Sequence, residues 1–326
     1  MRSLAVGIAV GVVCCASVAW SDPCSFTPAP DPAPFPPGRV VYQDAIGGGL
    51  YIYDFKDGTL TTVPISGLGS ATNPVFSPDG GAILFSAVIS DERHLFYWTI
   101  GSAQPVNITA WMGNLRNEDP KFSPDGYHVV WKQNFGIETA NFAFNDLGQP
   151  ILFNLQQLVA NPPEASGPVY SPTQKYVYYF TSTSSQPEQI QRYDVAAATT
   201  APAFAMDPTV QYYYPVAPDL YDFLYVSWLP GAIACPHCDK IYVRAKLPDS
   251  GTPWNPTDCA ADNSDPAPVN EDYFVYSRRS ATLYNLYLGQ ISTGNAWILP
   301  PAANISGASL VGSNYTDARS TINPAN

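Results

Sequence analysis

Two stretches of sequence decide the fold: NPVFSPDGGAILFSA at residues 73–87 and DPKFSPDGYHVVWKQ at residues 119–133. Each begins with a residue followed by proline, continues into Ser-Pro-Asp-Gly, and ends in a run rich in aromatic and β-branched residues. The tetrapeptide suits a type I turn, because serine is favoured at its first position, proline at its second and glycine at its fourth. Each stretch therefore predicts two β-strands joined by a tight turn.

The same pattern recurs along the chain. Weaker copies are GPVYSPTQKYVYYFT at 167–181, YPVAPDLYDFLYVSW at 214–228 and DPAPVNEDYFVYSRR at 265–279. The proline of the opening dipeptide falls at positions 74, 120, 168, 215 and 266, so successive copies are 46, 48, 47 and 51 residues apart. A period of about 40–50 residues in such a sequence is typical of propeller blades, each a four-stranded sheet.

Each repeat resolves into four strands, of which the short first strand precedes the tight turn. The predicted second strands include Ala82–Ser86 and His128–Lys132, and the third strands are Leu95–Thr99, Gln189–Asp194, Lys240–Arg244 and Asn285–Gln290. Fourth strands are predicted at Pro105–Ile108 and Ala296–Leu299. Residues 149–160 are interpreted as holding about one turn of helix.

The two ends of the repeat complement each other. Arg39–Gln43, Leu50–Phe55 and Thr59–Pro64 supply a second, third and fourth strand without a first, and Ser309–Tyr315 resembles a lone first strand. Their pairing closes the ring and removes exposed sheet edges. We therefore expect an all-β fold, a six-bladed β-propeller of four-stranded antiparallel blades closed by the C-terminal and N-terminal strands. Seven blades are the alternative if 134–165 or 229–262 hides another.

Composition excludes some classes of function. The chain has 326 residues, 46% of them hydrophobic and only 13% charged, with 27 acidic and 15 basic residues and a sequence pI near 4.5. This balance argues against nucleic-acid binding through a basic face and against adhesion to anionic membranes. Because no glycine-rich nucleotide-binding loop occurs, we expect no cofactor.

The N-terminus reads as a targeting segment. Met1 and Arg2 precede an apolar run, and Ala19-Trp20-Ser21 carries small residues at the positions that favour cleavage after Ser21. Residues 1–21 are therefore predicted to be a signal peptide, with a retained membrane anchor as the alternative. A proline-rich lead-in at 22–38, a single propeller domain at 39–320 and a tail at 321–326 follow. We expect a secreted, extracellular monomer without a membrane span after cleavage.

Four cysteines remain after that cleavage: Cys24, Cys235, Cys238 and Cys259. In an oxidising compartment an even count favours disulfides, and four cysteines allow three pairings that the sequence leaves open. Cys235-Pro236-His237-Cys238 resembles half of a metal site, but no second such pair accompanies it, so no metal is predicted. N-glycosylation is predicted at three Asn-x-Ser/Thr triplets, at Asn107, Asn304 and Asn314.

The repeat resembles the TolB-type propeller repeat, whose core is apolar-Ser-Pro-Asp-Gly-x-x-apolar-x-aromatic. Phe76–Phe85 and Phe122–Trp131 match it closely, and the resemblance covers about residues 39–320. It implies the propeller fold and is nearly silent on function, since such propellers occur in binding and scaffold proteins, in peptidases and in secreted polysaccharide lyases. The sequence has no Gly-x-Ser-x-Gly motif, which argues against the peptidases.

The resemblance also implies where a ligand binds, because the loops before first strands and after second strands share one face of the ring. The loops before first strands carry Asn73, Arg116, Glu118, Asp119, Tyr213 and Asp265. Those after second strands carry Arg93, His94, Lys132, Trp228, Arg278 and Arg279. Five of the 15 basic residues fall in this set, which favours an anionic ligand. The alternative is that these cations pair locally with neighbouring carboxylates.

Three hypotheses follow. The first is a polysaccharide lyase acting on a uronate-containing glycan, in which Arg93, Lys132, Arg278 or Arg279 neutralises the carboxylate and His94 or Tyr213 takes the α-proton. The second is a glycan-binding or cell-surface-binding module without catalysis, in which Tyr213 or Trp228 stacks on a sugar ring. The third is a scaffold for protein–protein contact. Whether the chain is an enzyme at all stays open from the sequence.

Overall fold

A computed structural model describes residues 38–43, 49–113, 115–160, 163–183, 186–216, 222–228, 239–245, 252–253, 263–269, 272–280 and 283–299. These residues form six antiparallel sheets in chain order, so the all-β, six-bladed propeller is confirmed. Five sheets have four strands and the first has three. The described part of the chain has no helix long and apolar enough to cross a membrane.

The strands of each blade follow one another in sequence and in space. Blade 1 contains β1 (Arg39–Gln43), β2 (Leu50–Asp54) and β3 (Leu60–Thr62). Blade 2 contains β4 (Gly69–Phe76), β5 (Ala82–Ile89), β6 (Glu92–Thr99) and β7 (Val106–Asn107), and a 3-10 turn at Ala110–Met112 follows it. Blade 3 contains β8 (Asn117–Phe122), β9 (His128–Gln133), β10 (Gly136–Phe144) and β11 (Pro150–Val159).

The last three blades repeat this arrangement. Blade 4 contains β12 (Glu164–Tyr170), β13 (Tyr176–Thr183), β14 (Gln186–Asp194) and β15 (Thr199–Pro202). Blade 5 contains β16 (Gln211–Val216), β17 (Asp222–Trp228), β18 (Lys240–Ala245) and β19 (Thr252–Pro253). Blade 6 contains β20 (Asn263–Pro268), β21 (Tyr273–Ser280), β22 (Leu283–Gln290) and β23 (Ala296–Ile298).

The Ser-Pro-Asp-Gly turns form as predicted. In blade 2 the Gly80 amide donates to the Ser77 carbonyl at 2.8 Å, which closes a four-residue turn. The Ser77 hydroxyl oxygen also accepts the Ala82 amide at 2.9 Å. The Ser123 hydroxyl of blade 3 accepts the His128 amide at the same distance. Serine thus fixes the start of the second strand in these two blades.

The opening dipeptides form a bulge in the first strand of blades 2 to 6. In each, the pairing with the second strand shifts across the residue–proline pair, and the residue before proline has φ between +49° and +59°. The five residues are Asn73, Asp119, Gly167, Tyr214 and Asp265. Proline lacks a backbone N–H, so it suits a bulge on an edge strand. The four that are not glycine adopt a conformation that costs about 1–2 kcal/mol each, which surrounding packing must offset.

Apolar packing joins the last blade to the first. Val40 and Tyr42 of blade 1 pack in one buried cluster with Val275, Leu288 and Trp297 of blade 6. The ring therefore closes through side-chain contacts between these blades. The predicted strand at 309–315 lies outside the described residues, as do the signal peptide and nearly all of the proline-rich lead-in.

Two local predictions were wrong. Residues 149–160 form strand β11 and not a turn of helix, because burial alternates there: Leu152 is buried between the exposed Ile151 and Phe153. The connection after β5 was expected to be a longer loop. It is a two-residue hairpin turn, Ser90-Asp91, with both residues at positive φ.

Candidate functional site: a polar cavity at the centre of the ring

A cavity of about 320 Å³ opens where the first strands of blades 2 to 6 converge. Four of the five bulge positions border it, so the bulges shape its wall. The lining residues are Thr72, Asn73, Arg93, Glu118, Asp119, Lys132, Ser166, Phe180, Tyr214 and Asp265. The sequence placed Asn73, Arg93, Glu118, Asp119, Lys132 and Asp265 on one face of the ring, and the structure brings these six together.

Arg93 reaches this cavity from strand β6 and is held by several acceptors. Its Nε lies 3.2 Å from Glu118 Oε1, which belongs to blade 3. One terminal nitrogen donates to the Thr72 hydroxyl at 2.9 Å and to the Ser70 carbonyl at 3.2 Å. The guanidinium is therefore fixed across the boundary between blades 2 and 3. Burial lowers the pKa of Arg93, although neighbouring Glu118 opposes that shift.

Lys132 makes a similar ion pair across the boundary between blades 3 and 4. Its Nζ lies 2.6 Å from Glu164 Oε1 of blade 4, and its side chain is only 13% exposed. The more exposed Arg116 pairs with Glu118 at 2.9 Å. Local pairing, the alternative reading of the basic cluster, thus applies to Arg93, Arg116 and Lys132. Because ammonium has three donors, the bond to Glu164 still leaves Lys132 with donor capacity.

Asp119 is a carboxyl of the cavity whose pKa is perturbed. Burial raises its pKa, and the neighbouring Glu118 raises it further, whereas Lys121, Lys132 and the Gly167 backbone amide act in the opposite direction. The dominant cause is loss of hydration, which penalises the charged form. Protonation of Asp119 therefore changes the charge of this site.

Two adjacent tyrosines behave differently from the prediction. Tyr213 was one of two candidate bases, but it is 9% exposed, and burial together with Asp239 raises its pKa. Tyr214, which the sequence analysis missed, borders the cavity instead. Its pKa is raised by burial and then by Asp265 and Asp119. A phenol with a raised pKa stays protonated at neutral pH, so either tyrosine acts there as a donor.

His94 lies away from the cavity. It was expected in a loop, but the short turn at Ser90-Asp91 places it inside strand β6, where it is 4% exposed. Its Nε2 lies 3.3 Å from Glu92 Oε2, and its Nδ1 lies 3.3 Å from the Thr109 hydroxyl. Successive side chains of a strand point to opposite faces, so His94 and Arg93 diverge. The catalytic role assigned to His94 stays a prediction without support from its position.

Arg278, a further predicted site residue, is not among the residues that line the cavity. Arg278 is 5% exposed, with a terminal nitrogen 3.3 Å from Asn263 Oδ1 and its Cζ 5.9 Å from the Tyr287 ring centroid. The backbones of Trp228 and Arg279 lie in β17 and β21, but their side chains are outside the described set. Their proposed contacts with a ligand stay predictions.

Most of the predicted disulfide cysteines and glycosylation sites lie outside the described residues. Cys24, Cys235, Cys238, Cys259, Asn304 and Asn314 all lie there. Asn107 ends strand β7, and its Oδ1 accepts the Thr109 amide at 3.0 Å. Within the described ranges, no group of three or more His, Cys, Asp or Glu residues is arranged to hold a metal ion.

The sequence did contain a signal for Tyr214. It precedes Pro215 as Asn73, Asp119 and Asp265 precede their prolines, so the aligned dipeptides alone identify it. Thr72 and Ser166 lie one residue earlier in their own repeats. Phe180 carried no such signal, because its approach to the cavity depends on the packing of β13 against the glycine at position 167.

Comparison with known proteins supports the fold. No protein-family model and no curated protein matches the chain. Among solved structures it is similar to TolB from Acinetobacter baumannii, with a TM-score of 0.63 and 16% identity over 86% of this chain and 66% of that one. The chain has the fold of TolB-type propellers. It thus spans just under two thirds of the length of that TolB chain.

Two other solved structures, a hydrolase and a chain of a protein complex, are similar to this chain in fold. A puromycin hydrolase matches with a TM-score of 0.53 and 14% identity over 83% of this chain and 48% of its own. A chain of a nidogen/laminin complex matches with a TM-score of 0.52 and 12% identity over 86% of this chain and 98% of its own. At such identities the likeness shows the fold and carries no function to this chain.

The first prediction concerns Asp119. A carboxyl whose pKa is higher in the folded than in the unfolded state destabilises the fold once it ionises, so stability falls as pH rises through the folded-state pKa. We expect Asp119→Asn to raise the free energy of unfolding at pH 7 by about 1.4 kcal/mol for each unit of pKa elevation. The gain should shrink as pH falls towards 4. Urea denaturation at several pH values measures it.

Asp57 provides the matched control. It is exposed, and hydrogen bonds from Thr59 lower its pKa, so its charged form stabilises the fold. Asp57→Asn should therefore lower stability at pH 7, the opposite sign. If both substitutions destabilise the protein equally at pH 7, then ionisation of Asp119 does not destabilise the folded state, and this account of Asp119 is wrong.

Proposed function

We propose that this chain is a secreted β-propeller that binds a small uronate-containing carbohydrate in its central cavity without cleaving it. One observation carries the proposal: Lys132 and Arg93 border a cavity whose other polar lining is mostly carboxylate, amide and hydroxyl. A sugar acid has one carboxylate and many hydroxyls, so it needs few cations and many hydrogen-bonding groups. The volume lies at the lower end of small-molecule pockets, about 300–1,000 Å³.

The carboxylate of the ligand would pair with Lys132, whose ammonium retains donors beyond its bond to Glu164. Hydroxyl groups would donate to Asp119, Asp265 and Glu118, which are acceptors when ionised. The rings of Phe180 and Tyr214, both in the lining, offer apolar surface to the carbon face of a sugar.

The surplus of acid in the lining makes binding of an anion dependent on pH. Burial raises the pKa of Asp119, so acidification neutralises it before a carboxyl with an ordinary pKa. Once neutral, it donates a hydrogen bond and no longer repels a carboxylate. We therefore infer tighter binding of a uronate at mildly acidic pH than at pH 7.

Binding is favoured over β-elimination because neither predicted base, His94 or Tyr213, is among the residues that line the cavity. His94 is buried between Glu92 and Thr109, and the raised pKa of Tyr213 makes its phenolate rare. A lyase needs a base within hydrogen-bond reach of the α-proton. Incubation with uronate polysaccharides should therefore produce no rise in the ultraviolet absorbance of unsaturated products.

Secretion is proposed from the N-terminal sequence. An apolar run ending in Ala19-Trp20-Ser21 supports export and cleavage after Ser21. On expression in a secreting host, the mature protein recovered from the medium should begin at Asp22. Intact mass and N-terminal sequencing test this, and a cell-associated protein that still begins at Met1 would contradict it.

The binding proposal predicts that Lys132→Met weakens galacturonate binding. We expect at least a tenfold loss of affinity by titration calorimetry, about 1.4 kcal/mol, because the ammonium that pairs with the carboxylate is gone. The combined Lys132→Met and Glu164→Gln variant should bind equally weakly. It separates the loss of the cation from the effect of leaving the partly exposed Glu164 unpaired.

Two further comparisons sharpen this test. Lys56→Met removes an exposed lysine far from the lining and should leave affinity unchanged. The wild-type protein should bind galacturonate more tightly at pH 5 than at pH 7, and it should prefer galacturonate to galactose. Equal affinity of wild type and Lys132→Met, with both well folded, would refute a uronate site at Lys132.

A further inference from the structure

A second cavity, of about 370 Å³, lies at the tip of the β9–β10 hairpin and beside the end of β11. Gln133, Asn134, Phe135, Gly136, Gln157 and Ala160 line it. No charged side chain is among these lining residues. The site is thus chemically distinct from the central cavity, although Lys132 of that cavity directly precedes Gln133 in the chain.

Three amide side chains of this second cavity have fixed orientations. Gln157 Nε2 donates to Glu138 Oε1 at 2.9 Å, and a carboxylate accepts only, so the amide nitrogen must face it. Asn134 Oδ1 accepts the Arg116 backbone amide at 3.1 Å, so its oxygen must face that donor. Each contact determines which half of the amide remains for a ligand.

Gln133 is oriented by a longer chain of bonds. Asn117 Nδ2 donates to the backbone carbonyls of Arg93 and Leu115, which forces Asn117 Oδ1 to be the acceptor. That oxygen accepts from Trp131 Nε1 at 2.9 Å and from Gln133 Nε2 at 3.1 Å. The described residues therefore leave three groups unused: the Oε1 atoms of Gln133 and Gln157, which accept, and Asn134 Nδ2, which donates.

Phe135 presents an aromatic ring beside these amides. Its side chain is 51% exposed, although it sits at the tip of a tight hairpin in which Asn134 has φ +53°. The Phe135 carbonyl accepts the Ala165 amide of blade 4 at 2.9 Å, which ties the tip to the next blade. The Phe135 ring is thus exposed, while its backbone is fixed by the hairpin and by the hydrogen bond to blade 4.

From this geometry we propose that the hairpin cavity binds a neutral pyranose sugar. One face of the sugar packs its C–H groups on the Phe135 ring, where apolar area leaves water. Its hydroxyl groups donate to Gln133 and Gln157 and accept from Asn134, which satisfies the three unused amide groups. A charged ligand would gain no ion pair here, so a neutral sugar fits this cavity better than a uronate does.

The test uses methyl galactoside, methyl glucoside and N-acetylglucosamine as probes with the full mature chain. Saturation-transfer NMR should detect at least one of them, and titration should give its affinity. Phe135→Ala should weaken that affinity at least tenfold, because the stacking surface is lost. Gln157→Leu, which keeps side-chain bulk and removes the amide, should weaken it by a similar factor.

Two controls keep the outcome decisive. Tyr127→Ala removes an aromatic side chain that is 69% exposed in a turn between β8 and β9, and it should not change sugar affinity. Lys132→Met should weaken galacturonate binding at the central cavity at least tenfold and spare the neutral sugar. The second result separates failure of this inference from failure of the uronate proposal.

Two outcomes would overturn the inference. One is the absence of binding of every neutral probe to the folded wild-type protein at tens of millimolar. The other is binding that survives both Phe135→Ala and Gln157→Leu, or that Lys132→Met removes, because the sugar would then occupy a different site.

Discussion

The residue–proline bulge of the first strands is the constraint on which the rest of the structure depends. In blades 2 to 6 it interrupts pairing with the second strand, and it places one residue at positive φ on the strand that borders the centre. Proline cannot continue the ladder, so the bulge recurs at the same place in each repeat. Four of the five bulge residues line the central cavity.

The bulge position also decides the chemistry of the cavity. Asn73, Asp119, Tyr214 and Asp265 border it from four blades, so the repeat delivers polar groups to one place. The fifth position is Gly167, where a Cβ would lie 2.7 Å from the Phe180 ring. In blade 4 the Phe180 ring therefore lines the cavity where the bulge residue's own side chain does so in the other four blades that have a bulge.

Arg93 and Lys132, which line the cavity, have a structural role as well as a proposed binding role. Arg93 bonds to Glu118 across one blade boundary, and Lys132 bonds to Glu164 across the next. Such pairs hold the charged groups in place, which lowers the entropy lost when a ligand binds. They also reduce the attraction for an anion, so a bound uronate must share these cations with carboxylates already present.

The residue–proline spacing predicted the repeat and the blade count, because it reports backbone geometry directly. The family resemblance placed six of the residues that line the cavity on one face of the ring. Prediction from the sequence failed where side-chain direction mattered. His94 looked like a loop residue beside Arg93, but the two-residue turn at Ser90-Asp91 starts strand β6 early and sends His94 to the opposite face. The second cavity was not foreseen, because its amides are oriented by contacts between distant residues such as Gln157 and Glu138.

The most direct test of the uronate site is a crystal structure of the protein soaked with galacturonate at pH 5. We predict ligand density in the central cavity, with a carboxylate oxygen within about 3 Å of Lys132 Nζ, as a charge-assisted hydrogen bond requires. An empty central cavity in a crystal soaked at a concentration that saturates the protein in solution, or a sugar bound only elsewhere, would contradict the account.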